Sequence, residues 1–175
     1  GDGYQISKLF GDTRYWRIPV MDGEFVCEEN THIVKAIGGG NFIILAETQA
    51  QALAASEKAV TAMRRITKVI MPFPGGVVRS GSKVGSKYKK LPASTNHLYC
   101  PTLKGLVDTN LPAQVGSVLE IVIDGLDMES ISEATRVGVE AVCRLGRKQG
   151  IIRISAGNYG GNLGPYHFKL RQILK

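Results

Sequence analysis

The sequence is poor in the features that announce metal centres, disulfide frameworks and membrane spans. Its cysteines, Cys27, Cys100 and Cys143, are odd in number and far apart, and no Cys-x-x-Cys pair occurs. That supports neither a zinc knuckle nor a disulfide scaffold and favours a reducing, cytoplasmic setting. No apolar run approaches the roughly 18 residues that a membrane-spanning helix requires. The opening Gly1-Asp2-Gly3 has neither the basic start nor the apolar centre of a secretory signal. Aromatic residues make up only 7%, and no strand carries the K/R-G-F-x-F-type pattern on which RNA-recognition domains stack bases.

What is present describes a folded chain. The 175 residues and 43% hydrophobic content suit one domain with a real core. The net charge of +7 favours nucleic acid, an acidic membrane surface, or small molecules bearing carboxylates or phosphates. A plain solubility surplus gives the same number.

Two segments share one plan. Asn41–Glu47 is a short run rich in β-formers. Thr48-Gln-Ala-Gln51 then reads as a capping box, and Ala52, Ala55, Ala59, Ala62, Met63 and Ile66 recur at helical spacing before Val69-Ile70-Met71. Val118–Asp124 repeats the pattern. Gly125 turns the chain, Asp127 or Ser130 caps a helix, Ile131, Ala134, Gly138, Ala141, Val142 and Leu145 form its buried stripe, and Ile151–Ser155 returns as a strand. Two such units on one antiparallel sheet predict an α+β fold, a ferredoxin-like split βαβ sandwich with a long connection inserted between the units, residues 1–175 forming a single lobe. Tyr15–Val20 and Glu24–Glu28 add strands, and Tyr166–Leu174 is a strand or a helical tail.

The connection from about Phe73 to Ser117 exceeds ordinary loop lengths and is chemically varied, which predicts an ordered, functional segment. Gly76–Lys83 reads G-V-V-R-S-G-S-K. A phosphate loop needs G-x-x-x-x-G-K-[ST] feeding a helix, so the final pair is reversed and the following residues are poor helix formers. The Lys87, Lys89 and Lys90 cluster reads as a solvated loop. His97 and Cys100 are three residues apart, a spacing open to a thiol–imidazole pair but equally to a packed thiol beside a hydrogen-bonded imidazole.

Glu120 is the most informative acid. Strand alternation puts Leu119, Ile121 and Ile123 on one face and Val118, Glu120, Val122 and Asp124 on the other. Glu120 then lies on the open side of the sheet or against another domain. It is either an ordinary exposed carboxylate or a partly desolvated one able to donate or relay a proton near neutral pH.

Several stretches in order, GDGY (1–4), GEF (23–25), GGGNF (38–42), PFPGG (72–76), SGSKVG (80–85), STNH (94–97), CPTLKG (100–105), EIVIDG (120–125) and ISAGNYGG (154–161), resemble formylmethanofuran:tetrahydromethanopterin formyltransferases from end to end. The resemblance implies the second, distal lobe of a two-lobed subunit, each lobe having a ferredoxin-like core. It implies transfer of a formyl group between a methanofuran- or methylofuran-type amine and N5 of a tetrahydromethanopterin-type pterin, these acting as coenzyme substrates with no tightly bound cofactor and no metal. It implies that Glu120 handles the proton in its protonated form. Ser82, Lys83, Thr95, Asn96 and His97 are the candidate substrate-binding residues, Lys83 for acidic coenzyme tails and the Ser94–His97 loop for the oxyanion or the carrier. A loop that merely needs glycine for its turns stays open for the 72–85 stretch.

The implied partners are the other lobe, further copies in a homo-oligomer, and subunits of a formyltransferase/hydrolase complex, with no membrane and little expectation of nucleic acid. The basic charge, and Asn162 where a lysine is expected, depart from the acidic archaeal pattern toward bacterial relatives. The competing functions are a non-catalytic assembly lobe and, more remotely, a basic RNA-binding module.

Overall fold

A computed structural model describes residues 2–79, 81–157 and 164–175. Ser80 of the SGSKVG stretch, the end of ISAGNYGG and Asn162 lie outside the described residues. The chain divides into two compact units, Gly1–Lys35 and Ala36–Lys175.

The first unit is an antiparallel meander of β1 (Ile6–Phe10), β2 (Thr13–Pro19) and β3 (Glu24–Glu28). β2 and β3 match the predicted strands; β1 was not foreseen. Phe10 pairs with Thr13, so Gly11 and Asp12 alone turn the first hairpin, with Gly11 at φ +60° where a side chain would be strained. No described residue of this unit is buried. Ile6, Leu9, Phe10, Phe25 and Val26 are all exposed.

The second unit contains β4 (Ile37–Ala46), α1 (Gln49–Met63), β5 (Val69–Ile70), β6 (Ser82–Val84), β7 (Ala93–Thr95), β8 (Ser117–Gly125), α2 (Met128–Cys143), β9 (Ile151–Ser155) and a single helical turn, α3 (Leu170–Ile173). The main sheet runs β5-β8-β4-β9, with every neighbouring pair antiparallel. The two strand–helix–strand runs therefore interleave, with β4 and β8 at the centre. The capping box forms as expected: the Thr48 hydroxyl accepts from Gln51 N–H and the Gln51 side chain accepts from Thr48 N–H. Of the two candidates at the second helix, Asp127 is the cap, its carboxylate accepting from Ser130 N–H at 2.8 Å.

Both helices cover one face of the sheet, over Phe42, Ile44, Ala46, Leu119, Ile121 and Ile123. The predicted stripes are largely right but omit Val60 and Val139 and two polar residues. Ser56 and Thr135 are buried because their hydroxyls donate to the carbonyls four residues back, Ala52 and Ile131, each at 2.8 Å. Ala62, Ile66 and Ala141 are only half-buried.

Gly116 shows how closely the backbone packs at the start of β8. A Cβ there would lie 2.3 Å from the Glu47 carbonyl oxygen, while Gly116 N–H donates to the Ala46 carbonyl at 3.0 Å. Backbone cannot move aside as a side chain does. Gly116→Ala is expected to lose about 1–3 kcal/mol in denaturant unfolding, and an unchanged midpoint would show that the β4–β8 junction yields.

Candidate active site

The site is built on the sheet face that the helices do not cover. Ile43 stands opposite Glu120 and Asn41 opposite Val122, so Asn41, Ile43, Glu120 and Val122 share that face. The expectation that this side is open holds only in part. The 73–117 connection folds back across it, and Tyr99, Leu111 and Val115 pack on Ile43 and Leu45. Lys104 secures the cover: its ammonium donates to the Ala113 carbonyl at 2.9 Å and to the Val115 carbonyl. Within the connection, β6 and β7 pair as a hairpin.

Where this cover ends, a cleft of ≈ 320 Å³ opens with Glu120 in its wall. Only 8% of Glu120 is exposed. The chain beyond β5 fixes its backbone: Val78 N–H donates to the Glu120 carbonyl at 2.7 Å, and Glu120 N–H donates to Val78 at 2.9 Å. Asn41 Nδ2 donates to Glu120 Oε1 at 2.6 Å. Gly157 closes the third side. A Cβ there would lie 2.6 Å from Asn41 Nδ2 and 2.9 Å from Glu120 Oε1, so the backbone fits against the pair only because it has no side chain.

Burial pushes the Glu120 carboxyl above the ordinary carboxylate range, and the Asn41 hydrogen bond offsets only part of that rise. No ion pair to Glu120 forms among the described residues. Of the two readings open in the sequence, the desolvated carboxyl is therefore the one realised. Such a group keeps its proton to higher pH and can deliver it to a departing base.

Of the residues expected to bind substrate, Thr95 and Asn96 line the cleft with Glu120. Ser82 pairs with Thr95 and Lys83 with Ser94 across the β6–β7 hairpin, but neither Ser82 nor Lys83 lines it. His97 opens the 3-10 turn His97–Tyr99 and also lies outside the lining. It meets Cys100 only through the bond from Cys100 N–H to its carbonyl, at 3.3 Å, so no thiol–imidazole pair forms. Gly76–Lys83 feeds a bridge and a strand rather than a helix, as expected of a stretch that is no phosphate loop.

Three residues of the site escaped the sequence reading: Asn41, Arg79 and Gly157. Arg79 is exposed, lines the cleft and makes no ion pair among the described residues. Asn41 had a signal, being the one polar side chain in a strand otherwise made of glycine and apolar residues. Arg79 and Gly157 had none, since their places depend on how loops meet the sheet.

Residues 23–173 match the family described as FTR, proximal lobe. The chain is 68% identical over 174 residues to the formylmethanofuran–tetrahydromethanopterin formyltransferase of Methylococcus capsulatus, covering 99% of this chain and 58% of that protein. It superposes with a TM-score of 0.79 and 48% identity on a chain of the Methylorubrum extorquens formyltransferase/hydrolase complex, solved with methylofuran, over 99% of this chain and 58% of that one. The formylmethanofuran:tetrahydromethanopterin formyltransferase of Methanosarcina barkeri gives 0.77 at 44% identity, over 98% and 58%. The chain thus spans 58% of the length of these relatives.

The assignment to a distal lobe is corrected by the family match, which is to the proximal lobe. On the resemblance both lobes carry the same α+β core, so a strand–helix–strand pattern is common to them and cannot say which one it belongs to. With the match extending over residues 23–173 and identity reaching 68%, the chain belongs to the formylmethanofuran–tetrahydromethanopterin formyltransferase family and carries its proximal lobe.

Proposed function

We propose that this chain is the proximal-lobe part of a formyltransferase. It moves a formyl group between the amine of a methanofuran- or methylofuran-type carrier and N5 of a tetrahydromethanopterin-type pterin, in one-carbon metabolism in the cytoplasm. Both coenzymes are substrates, and no tightly bound cofactor is required. The observation that carries the reading is the buried Glu120 carboxyl, held by Asn41 in the wall of a cleft and biased by burial toward its protonated form. The interleaved strand order β5-β8-β4-β9 under two helices supports a ferredoxin-like layout for residues 36–175.

In this reaction N5 attacks the formamide carbon, and a C–N bond forms as the carbonyl becomes an oxyanion. Collapse breaks the bond to the carrier nitrogen, which takes a proton from Glu120. The proton that N5 gives up returns Glu120 to its starting state, so protons balance over the cycle. Thr95 and Asn96 supply donors on the cleft side for the oxyanion or the carrier. The excess positive charge, with Arg79 at the cleft and Lys83 on the neighbouring hairpin, suits acidic coenzyme tails. Partners under this reading are the other lobe, further copies of the subunit, and subunits of a formyltransferase/hydrolase complex.

The test is formation of N5-formyl pterin by this chain alone and with the distal lobe added. Turnover in either arm supports the reading, and turnover in the first alone means that this lobe holds a complete site. No turnover in both arms, with native circular dichroism, favours an assembly lobe without chemistry.

A further inference from the structure

We infer that Asn41 is a positioning residue that reserves Oε1 of Glu120 as an acceptor and so directs the Glu120 proton to Oε2, on the cleft side. The inference rests on the proposed role of Glu120 as proton donor and adds which oxygen acts and what selects it.

The geometry leaves little freedom. Glu120 Oε1 accepts from Asn41 Nδ2 at 2.6 Å, and an amide nitrogen, being a donor only, cannot receive a proton from that oxygen in return. Gly157 presses on the same corner, where any Cβ would come within 2.9 Å of Oε1. Oε1 is therefore enclosed by Asn41 and Gly157. Oε2 makes no hydrogen bond among the described residues, yet no side-chain oxygen or nitrogen among them is both buried and unpartnered. Oε2 is thus the oxygen that reaches the cleft. A carboxyl group with one oxygen committed as acceptor carries its proton on the other.

Other groups near the pair do not compete for this task. Val78 holds Glu120 through main-chain atoms only. The ionisable groups of the cleft wall other than Glu120 are Arg79, Tyr99 and Cys100, and none of them is joined to the Glu120 carboxylate by a hydrogen bond or ion pair. Asn41 stands diagonally across the strand pair, two residues from the one opposite Glu120, and its short side chain spans that gap without reaching the cleft lining. Its effect on the reaction is therefore exerted through Glu120.

Carbon-13 labelling of glutamate carboxyls allows the Glu120 titration to be followed by NMR in the 175-residue chain, without any turnover. Glu120→Gln assigns the resonance. Asn41→Leu, of similar size but without a donor, is expected to move the Glu120 midpoint upward, since the one hydrogen bond favouring the ionised form is gone. Asn41→Asp sets a second carboxylate against Oε1 and is expected to replace the single titration by two coupled steps. In the formyl-transfer assay, with the distal lobe present if turnover requires it, Asn41→Leu is expected to lower kcat about tenfold to a hundredfold with KM nearly unchanged.

Unmoved midpoints in both folded variants overturn the inference whatever Glu120→Gln does to turnover. Shifted midpoints with unaltered kcat also overturn it as a statement about proton delivery. Full turnover in Glu120→Gln, by contrast, removes the proposed role of Glu120 itself and leaves the NMR result to stand as a description of the pair. Asn41→Asp keeps the test available if Asn41→Leu does not fold, because it preserves the size and polarity of the side chain.

Discussion

Glu120→Gln is expected to cut formyl transfer by about 10²–10⁴-fold, to leave coenzyme binding nearly unchanged, and to make the fold more stable at neutral and higher pH. The first two effects share a cause. Glutamine keeps the shape of the protonated acid, and its carbonyl oxygen still accepts from Asn41 where Oε1 did. It has no proton to release to a departing amine. An interaction made only in the transition state is thus lost, while ground-state contacts survive.

The gain in stability follows from linkage. Glu120 is desolvated, with no cationic partner among the described residues, so its folded pKa lies above the unfolded value. Between these two values the native chain binds more protons than the unfolded one. Stability is then complete below the unfolded pKa, falls as pH rises through the window, and stays reduced once pH has passed the folded pKa. Glutamine escapes that decline. Thermal melts of both proteins across the acidic to neutral range should show a gap that opens with rising pH in favour of the variant. Parallel curves, or unchanged turnover, would remove Glu120 from the mechanism. A group that destabilises the fold that carries it is what a reactive site requires, since the same desolvation raises its readiness to hold a proton.

Phe42→Ala is the second large effect, about 3–5 kcal/mol by denaturant unfolding. Phe42 is 0% exposed and lies in the main core. Its ring tip is close to α2, since a Cβ at Gly138 would come within 3.2 Å of Phe42 Cζ and within 2.6 Å of Met63 Sδ. The ring therefore fills the place where α1, α2 and the sheet meet, and the neighbouring backbone cannot collapse into the space its removal leaves. Against a total stability of about 5–15 kcal/mol the loss is severe. It also bears on the site, because Phe42 and Asn41 are consecutive on β4 and point to opposite faces. Phe42→Leu, which keeps most of the volume, is expected to lose under about 1.5 kcal/mol. A loss below about 1 kcal/mol for Phe42→Ala would mean that the core relaxes around the cavity.

Much of this was legible in the residue order. The capping box at Thr48, a cap at Asp127 or Ser130, the apolar stripes of both helices and the alternation around Glu120 are local patterns, set by spacings of two to four residues. The absence of a phosphate loop was equally local. Periodicity missed Ser56 and Thr135 as core residues because their burial depends on hydroxyls that bond within the helix, a possibility that hydropathy does not weigh. Lys83 and His97 were drawn into the site by their chemical type, although the strand and turn that carry them leave both outside the cleft lining.

By itself, then, the sequence determined the two strand–helix–strand units, the faces of their strands, the long connection between them and the family to which the chain belongs. Only the tertiary structure decided that Glu120 is buried, because the cover over its face is assembled from Tyr99, Leu111 and Val115 of the long connection, which folds back across the sheet. Only it brought Asn41, Glu120 and Gly157 together, from strands 79 residues apart and a loop beyond β9. Spacings of a few residues define the face on which a side chain lies. Desolvation, and the pKa it raises, depend on what long-range packing places over that face.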